Sequence, residues 1–284
     1  LIVSYIMPIA LTLELTPTQD TTLPRDHGRA AYAAALARLS AVDAALAEAV
    51  HAGTGPKLLT CSTLSGARGD LQTLWLPAGR PLYLRITGLT EPVADALAAG
   101  LLDDPPATWE LDRVALPLTA VLCDEADDVW SGRIGYEQLA ARHLLGQVPP
   151  DGRVTLSFAT PTAFTSNGML QPLLLPSLVF GSLLDRWNAF SPVALSPDAR
   201  RFAEEMVAVS ALNLRSRPVR YKQGLRIGSV GRVTYRALSR DRYWLAVLQL
   251  LADFARFSGV GVQTTTGMGQ VRRLLARARD DDTT

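Results

Sequence analysis

The stretch that most restricts this chain lies close to its C-terminal end: Gly259-Val260-Gly261-Val262-Gln263-Thr264-Thr265-Thr266-Gly267-Met268-Gly269-Gln270-Val271. Two Gly-x-Gly pairs bracket a run that includes three consecutive threonines. Residues 243–254 upstream carry apolar side chains at helical spacing, and residues 271–275 downstream suit a short strand. The order is helix, loop, strand. Nucleotide-binding glycine loops run the other way, strand to helix, so that phosphate meets a helix N-terminus. There is also no Gly-Lys-Ser/Thr. Rossmann and P-loop chemistry are thereby excluded. What remains is a loop of small side-chain bulk, with backbone donors able to lie against a polyanion or another strand.

The rest of the chain alternates strand and helix patterns. Residues 9–15 alternate as a strand, and residues 28–50 have helical spacing with a break expected near Ser40. Gly53, Gly55 and Pro56 end that helix. Residues 57–64 and 80–89 read as strands, 91–102 as a helix, and 109–123 as one or two strands. This β-α-β-β-α-β order is the ferredoxin-like pattern. Residues 124–147 are polar and then helical, and Val148-Pro149-Pro150-Asp151-Gly152 is the best linker. Beyond it come a strand (153–158), an amphipathic helix (176–190), a helix from 198 to about 210, a hairpin (219–237) and the helix before the glycine loop. The expectation is an α+β chain in two units, 1–147 and 153–284, the second of similar class to the first.

Net charge of +1 conceals an asymmetry. Residues 1–199 hold 12 Lys and Arg against 20 Asp and Glu, whereas residues 200–284 hold 16 against 7. A basic C-terminal third points to an anionic partner, with charge solvated over several faces as the plainer alternative. Cys61 and Cys123 fit no metal spacing and read as buried small hydrophobes of a reducing compartment. The apolar N-terminus lacks a basic leader and reads as the edge of the first strand, with Met7 as the natural start. No apolar run is long enough for a membrane span, so a cytoplasmic protein without membrane contact is expected.

Three histidines are available for chemistry: His27, His51 and His143. His51 lies past a helix end, six residues before Lys57, in a chain with only two lysines among 28 basic residues. An imidazole transfers protons near neutral pH, and a compact ammonium neutralises developing phosphorane charge. The alternative is a helix-end His and a strand-start Lys in solvent. His27 precedes a helix as a cap or ligand. No His-x-x-x-His or Cys-x-x-Cys occurs, so neither a metal nor a cofactor is expected. The segment 215–226 interleaves Arg220, Lys222 and Arg226 with Tyr221, and Arg232 follows. On a hairpin Arg220, Lys222 and Arg226 are expected to share a face and track the phosphates of RNA or DNA, with Tyr221 as a stacking surface. An edge hairpin kept soluble by charge is the competing reading.

Four stretches carry a family resemblance. They are the glycine loop, residues 51–60 (His-Ala-Gly-Thr-Gly-Pro-Lys-Leu-Leu-Thr), residues 159–164 with 178–187, and residues 228–235 (Gly-Ser-Val-Gly-Arg-Val-Thr-Tyr). In this order they resemble the CRISPR repeat-RNA processing endoribonucleases, the Cas6 branch of the RAMP superfamily. The resemblance implies two tandem ferredoxin-like (RRM-like) domains with antiparallel sheets, the first carrying the catalytic residues. It implies metal-independent cleavage of precursor CRISPR RNA within repeats by 2′-hydroxyl attack, leaving a 2′,3′-cyclic phosphate and a 5′-hydroxyl. His51 would transfer the proton, Lys57 would stabilise the transition state, and Tyr32, the only tyrosine on the first helix, would act as base or orienting group; His27 stays in reserve. Gly259, Gly261, Gly267 and Gly269 would allow close approach to RNA, and Gln263, Thr264, Thr265 and Thr266 would offer polar contacts. The partners implied are repeat RNA and a CRISPR effector complex, for a monomer or homodimer. The alternative is a non-cleaving RNA-binding RAMP subunit that scaffolds such a complex.

Overall fold

The computed structural model describes residues 7–166, 168–221 and 224–275. Its first half runs β1 (Ile9–Leu15), β2 (Thr21–Pro24), α1 (Gly28–Val42), α2 (Ala44–Ala52), β3 (Leu59–Cys61), β4 (Arg68–Gly69), β5 (Thr73–Leu76), β6 (Leu82–Gly88), α3 (Glu91–Ala98), β7 (Thr108–Leu111), β8 (Val114–Leu122), β9 (Gly132–Arg133) and α4 (Tyr136–Leu144). The second half runs β10 (Arg153–Thr162), β11 (Phe164–Ser166), β12 (Met169–Gln171), α5 (Pro176–Phe190), α6 (Asp198–Met206), β13 (Val207–Tyr221), β14 (Gly224–Ala237), α7 (Arg242–Ser258) and β15 (Val271–Leu274).

Two antiparallel sheets share one topology. In the first the order is β3-β6-β1-β8-β7, and in the second β13-β14-β10-β15. In each, the strand opening the unit sits centrally, between the third and last strands of a β-α-β-β-α-β run. This is the ferredoxin-like arrangement, present twice. β1 is central, and Ile9 to Leu13 are buried throughout.

Local chemistry explains where elements break. α1 ends at Asp43 and not near Ser40, because Asp43 adopts extended backbone and its carboxylate accepts the Leu46 amide at 2.9 Å to cap α2. α6 stops at Met206, short of the expected 210, and the β-branched Val207 and Val209 begin an edge strand. β2, β5 and β4 form a small separate sheet that the residue pattern does not announce.

Two apolar cores follow the two sheets. α4 sides with the second: Tyr136 packs edge-on to Trp187, with ring centroids 5.2 Å apart, and its hydroxyl donates to Leu89 O. Among the described residues no helix is long and apolar enough to cross a membrane.

Candidate active site and nucleic-acid interface

The break at Asp43 folds α2 back along α1 and brings two rings together. Tyr32 of α1 and His51 of α2 have ring centroids 6.4 Å apart at 30°. Lys57 stands in the connection from α2 to β3, where its ammonium donates to the carbonyl of Gly53. His51 is exposed, while Tyr32 and Lys57 are half-buried. Burial, and to a lesser degree the Cys61 thiol, raises the Tyr32 hydroxyl above its ordinary value. The phenol is therefore protonated at neutral pH and offers a hydrogen-bond donor.

His27 is placed differently. It is 1% exposed, its Nε2 accepts the Leu64 amide at 2.8 Å, and its Nδ1 lies 2.9 Å from Pro24 O. The amide can only donate, so Nε2 is the acceptor and Nδ1 carries the hydrogen. Burial depresses its pKa and keeps the ring neutral. Nδ1 thus ties the α1 start to the end of β2, and Nε2 ties it to the loop after β3.

The glycine loop is sewn into the protein. Gly259, Gly261, Gln263, Gly267 and Gly269 all have positive φ. The amides of Val260, Val262 and Gly269 donate to Gly269, Ala163 and Pro161, and that of Gly261 to Ser182 Oγ. The Cys61 amide donates to Thr264 O and the Gly267 amide to Cys61 O, both at 3.1 Å, extending the first sheet past β3. A Cβ on Gly28 would run into Thr266 O, so the start of α1 abuts the same loop. The expectation of freely offered backbone donors is corrected here: most are used internally. Thr264 is buried, leaving Gln263, Thr265 and Thr266 half-exposed.

Arg186 of α5, which residue patterns did not single out, organises that loop. It is half-buried and donates to Ser258 O and, at 2.6 Å, to Gly261 O; desolvation of its guanidinium lowers its pKa to about 10. Its place within Leu-Leu-Asp-Arg-Trp on an amphipathic helix was the available signal.

The hairpin distributes its cations over both faces. Arg220 pairs with Leu225 and Val219 with Arg226, so Arg220 and Arg226 point to opposite sides. The expected single basic row is corrected: the pairing register places them out of phase. Lys222 lies outside the described residues. The Arg220 amide donates to Asp26 Oδ2 at 2.9 Å, docking β13 on the first half. There a groove of 410 Å³ is lined by Arg25, Arg29, Arg68, Arg217 and Arg220, together with Gly28, Thr266 and Gly267. Arg29 lies one helical turn before Tyr32 on α1.

Arg232 belongs to a second cleft of 940 Å³, with Arg142, Arg256, Arg272 and Arg273. Trp130 lies beneath the guanidinium groups of both Arg85 and the cleft residue Arg272, each 5.4 Å from its ring centroid. Tyr32, His51 and Lys57 line neither groove. Cys61 is buried as expected, Cys123 half-buried.

Two ferredoxin-like units in tandem, joined through a glycine-rich loop, define the class of fold. Residues 156–271 match the family model for the CRISPR-associated endoribonuclease Cas6. Two curated relatives from Mycobacterium tuberculosis, both named CRISPR-associated endoribonuclease Cas6, are 31% identical over 126 residues. That match spans 44% of this chain and 40% of the relatives' length. A Cas6 product complex superposes with TM-score 0.77 at 29% identity, covering 94% of this chain and 99% of the other. Thermus thermophilus Cas6 superposes with TM-score 0.73 at 29% identity, covering 95% and 100%. By sequence over part of its second half, and by structure over nearly its whole length, the chain is similar to Cas6 proteins.

Proposed function

We propose that this chain is a metal-independent endoribonuclease that cuts precursor CRISPR RNA within its repeats. The observation that carries the reading is the stacking of Tyr32 on His51 with Lys57 in the adjoining connection, in a chain similar to Cas6 proteins. The 2′-oxygen attacks the adjacent phosphate, the P–O5′ bond breaks, and the products are a 2′,3′-cyclic phosphate and a 5′-hydroxyl. One proton leaves the 2′-hydroxyl and one reaches O5′. His51 is exposed to an approaching strand and transfers a proton. The Lys57 ammonium offsets charge on the phosphorane oxygens. The raised pKa of Tyr32 favours an orienting hydrogen bond over a basic role. Residues 1–147 supply this chemistry and residues 153–284 hold RNA, with α4 allied by its packing to the second unit. Repeat RNA is the partner, and the cytoplasm the compartment.

The test is single-turnover cleavage of the repeat RNA encoded beside the gene. His51→Ala should slow cleavage by about 10²-fold or more with little change in RNA affinity, the usual scale for a lost proton-transfer group. Unchanged cleavage in that variant sinks the assignment. Tight binding without any cleavage by the wild type supports a scaffold role instead.

A further inference from the structure

Tyr32 and His51 are 19 residues apart in the chain. On one unbroken helix they would stand about 28 Å from each other, at a rise of roughly 1.5 Å per residue. Their ring centroids are 6.4 Å apart. The elbow between α1 and α2 makes the difference, and little in the sequence asks for an elbow. No glycine or proline lies between Gly28 and Gly53, and residues 44–49 read Ala-Ala-Leu-Ala-Glu-Ala, all strong helix formers. Asp43 is the exception. Its amide donates to Leu39 O at 2.8 Å and closes α1, while its carbonyl accepts the Ala47 amide at 3.1 Å and its carboxylate the Leu46 amide at 2.9 Å. The backbone of Asp43 is extended, at φ −146° and ψ 101°. A short acidic side chain favours such a cap over a helix interior, because it takes up an amide that the helix start leaves unbonded.

The proposed chemistry hangs on α2. His51 lies in its last turn, and Gly53, whose carbonyl accepts the Lys57 ammonium, is its C-cap. The side chains that α2 buries are Ala47 and Val50, one of them a single methyl group. Packing therefore fixes the direction of α2 weakly, and the cap adds to it. Asp43 itself is exposed and stands at the other end of α2 from His51, about 12 Å away along the axis. It acts on the site through the helix and not by contact.

We propose that Asp43 is a positioning residue for RNA cleavage: its carboxylate cap sets the α1–α2 elbow, and the elbow sets His51 against Tyr32. The proposal rests on the ribonuclease reading above and deepens it.

The experiment measures single-turnover cleavage of the repeat RNA at saturating enzyme, together with RNA affinity, with thermal melts to verify folding. Asp43→Ala should slow cleavage by roughly 10- to 100-fold at unchanged affinity, the scale of displacing a catalytic group by about an ångström. Asp43→Asn and Asp43→Ser keep a cap acceptor and should stay within about 3-fold of wild type. Adding Ala44→Pro to Asp43→Ala should restore the rate without restoring the carboxylate. Proline suits the first helical position, follows extended backbone and cannot continue α1. In a His51→Ala background Asp43→Ala should slow cleavage little further, since both substitutions remove the same contribution. A folded Asp43→Ala enzyme with wild-type cleavage overturns the proposal. So does an Asp43→Asn enzyme as slow as Asp43→Ala, and so does an equal fold-loss from Asp43→Ala with and without His51. If Asp43→Ala does not fold, the variant that also carries Ala44→Pro decides: cleavage near wild type supports the elbow, and a folded but slow enzyme overturns it. A wild type that binds the repeat without cutting it overturns the ribonuclease reading, and this proposal with it.

Discussion

The Gly267 amide donates to the Cys61 carbonyl at 3.1 Å, joining the glycine loop of the second unit to the edge strand of the first. Gly267 has φ 95°, and a Cβ there would collide with the Thr63 side chain. Gly267→Ala should therefore destabilise the protein by about 1–3 kcal/mol, from backbone strain and the loosened seam. Chemical denaturation measures it; a wild-type midpoint would show that the loop tolerates the methyl group.

Acid should expose the buried imidazole of His27. Burial holds its folded pKa below the ordinary 6.5. Above that pH the ring is neutral both folded and unfolded. As pH falls below 6.5, the unfolded ring takes a proton that the folded ring refuses. Stability then drops, by at most about 1.4 kcal/mol per pH unit, until the folded group titrates. Urea unfolding at pH 7.5 and 5.5 should show a shallower loss in His27→Gln than in wild type. Equal losses would place the acid sensitivity elsewhere.

The two hairpin arginines should differ. Arg220 lines the interdomain groove, whereas Arg226 projects from the opposite face. Arg220→Ala should reduce the salt slope of RNA binding by about 0.7 and weaken affinity more than Arg226→Ala does. Equal effects would mean that RNA wraps both faces of the hairpin.

Much of this architecture is legible from residue order, and each exception has its own physical cause. The helix 176–190 agrees with its apolar stripe to the residue, because one face of α5 is buried in the second core. The small β2-β5-β4 sheet escapes notice because its strands are two to four residues long. β13 is missed up to residue 219 because it is a mostly exposed edge strand without buried alternation. At the proposed site, the closeness of His51 and Lys57 along the chain could be read from local spacing. The internal use of the loop amides could not, since their partners lie at Cys61, Pro161 and Ala163, far away in sequence. Arg25 and Arg68 stayed hidden for the same reason: only the tertiary fold sets them opposite Arg217.

The proposed reaction is intramolecular attack by a 2′-hydroxyl, served by His51 without a metal ion. The direct measurement compares the cognate repeat RNA with the same RNA carrying a 2′-deoxy sugar at the cut, both in excess EDTA. A ribonuclease of this kind cuts the first to a 2′,3′-cyclic phosphate and binds the second uncut. Cleavage of the deoxy substrate, or a reaction that EDTA abolishes and magnesium restores, would contradict it.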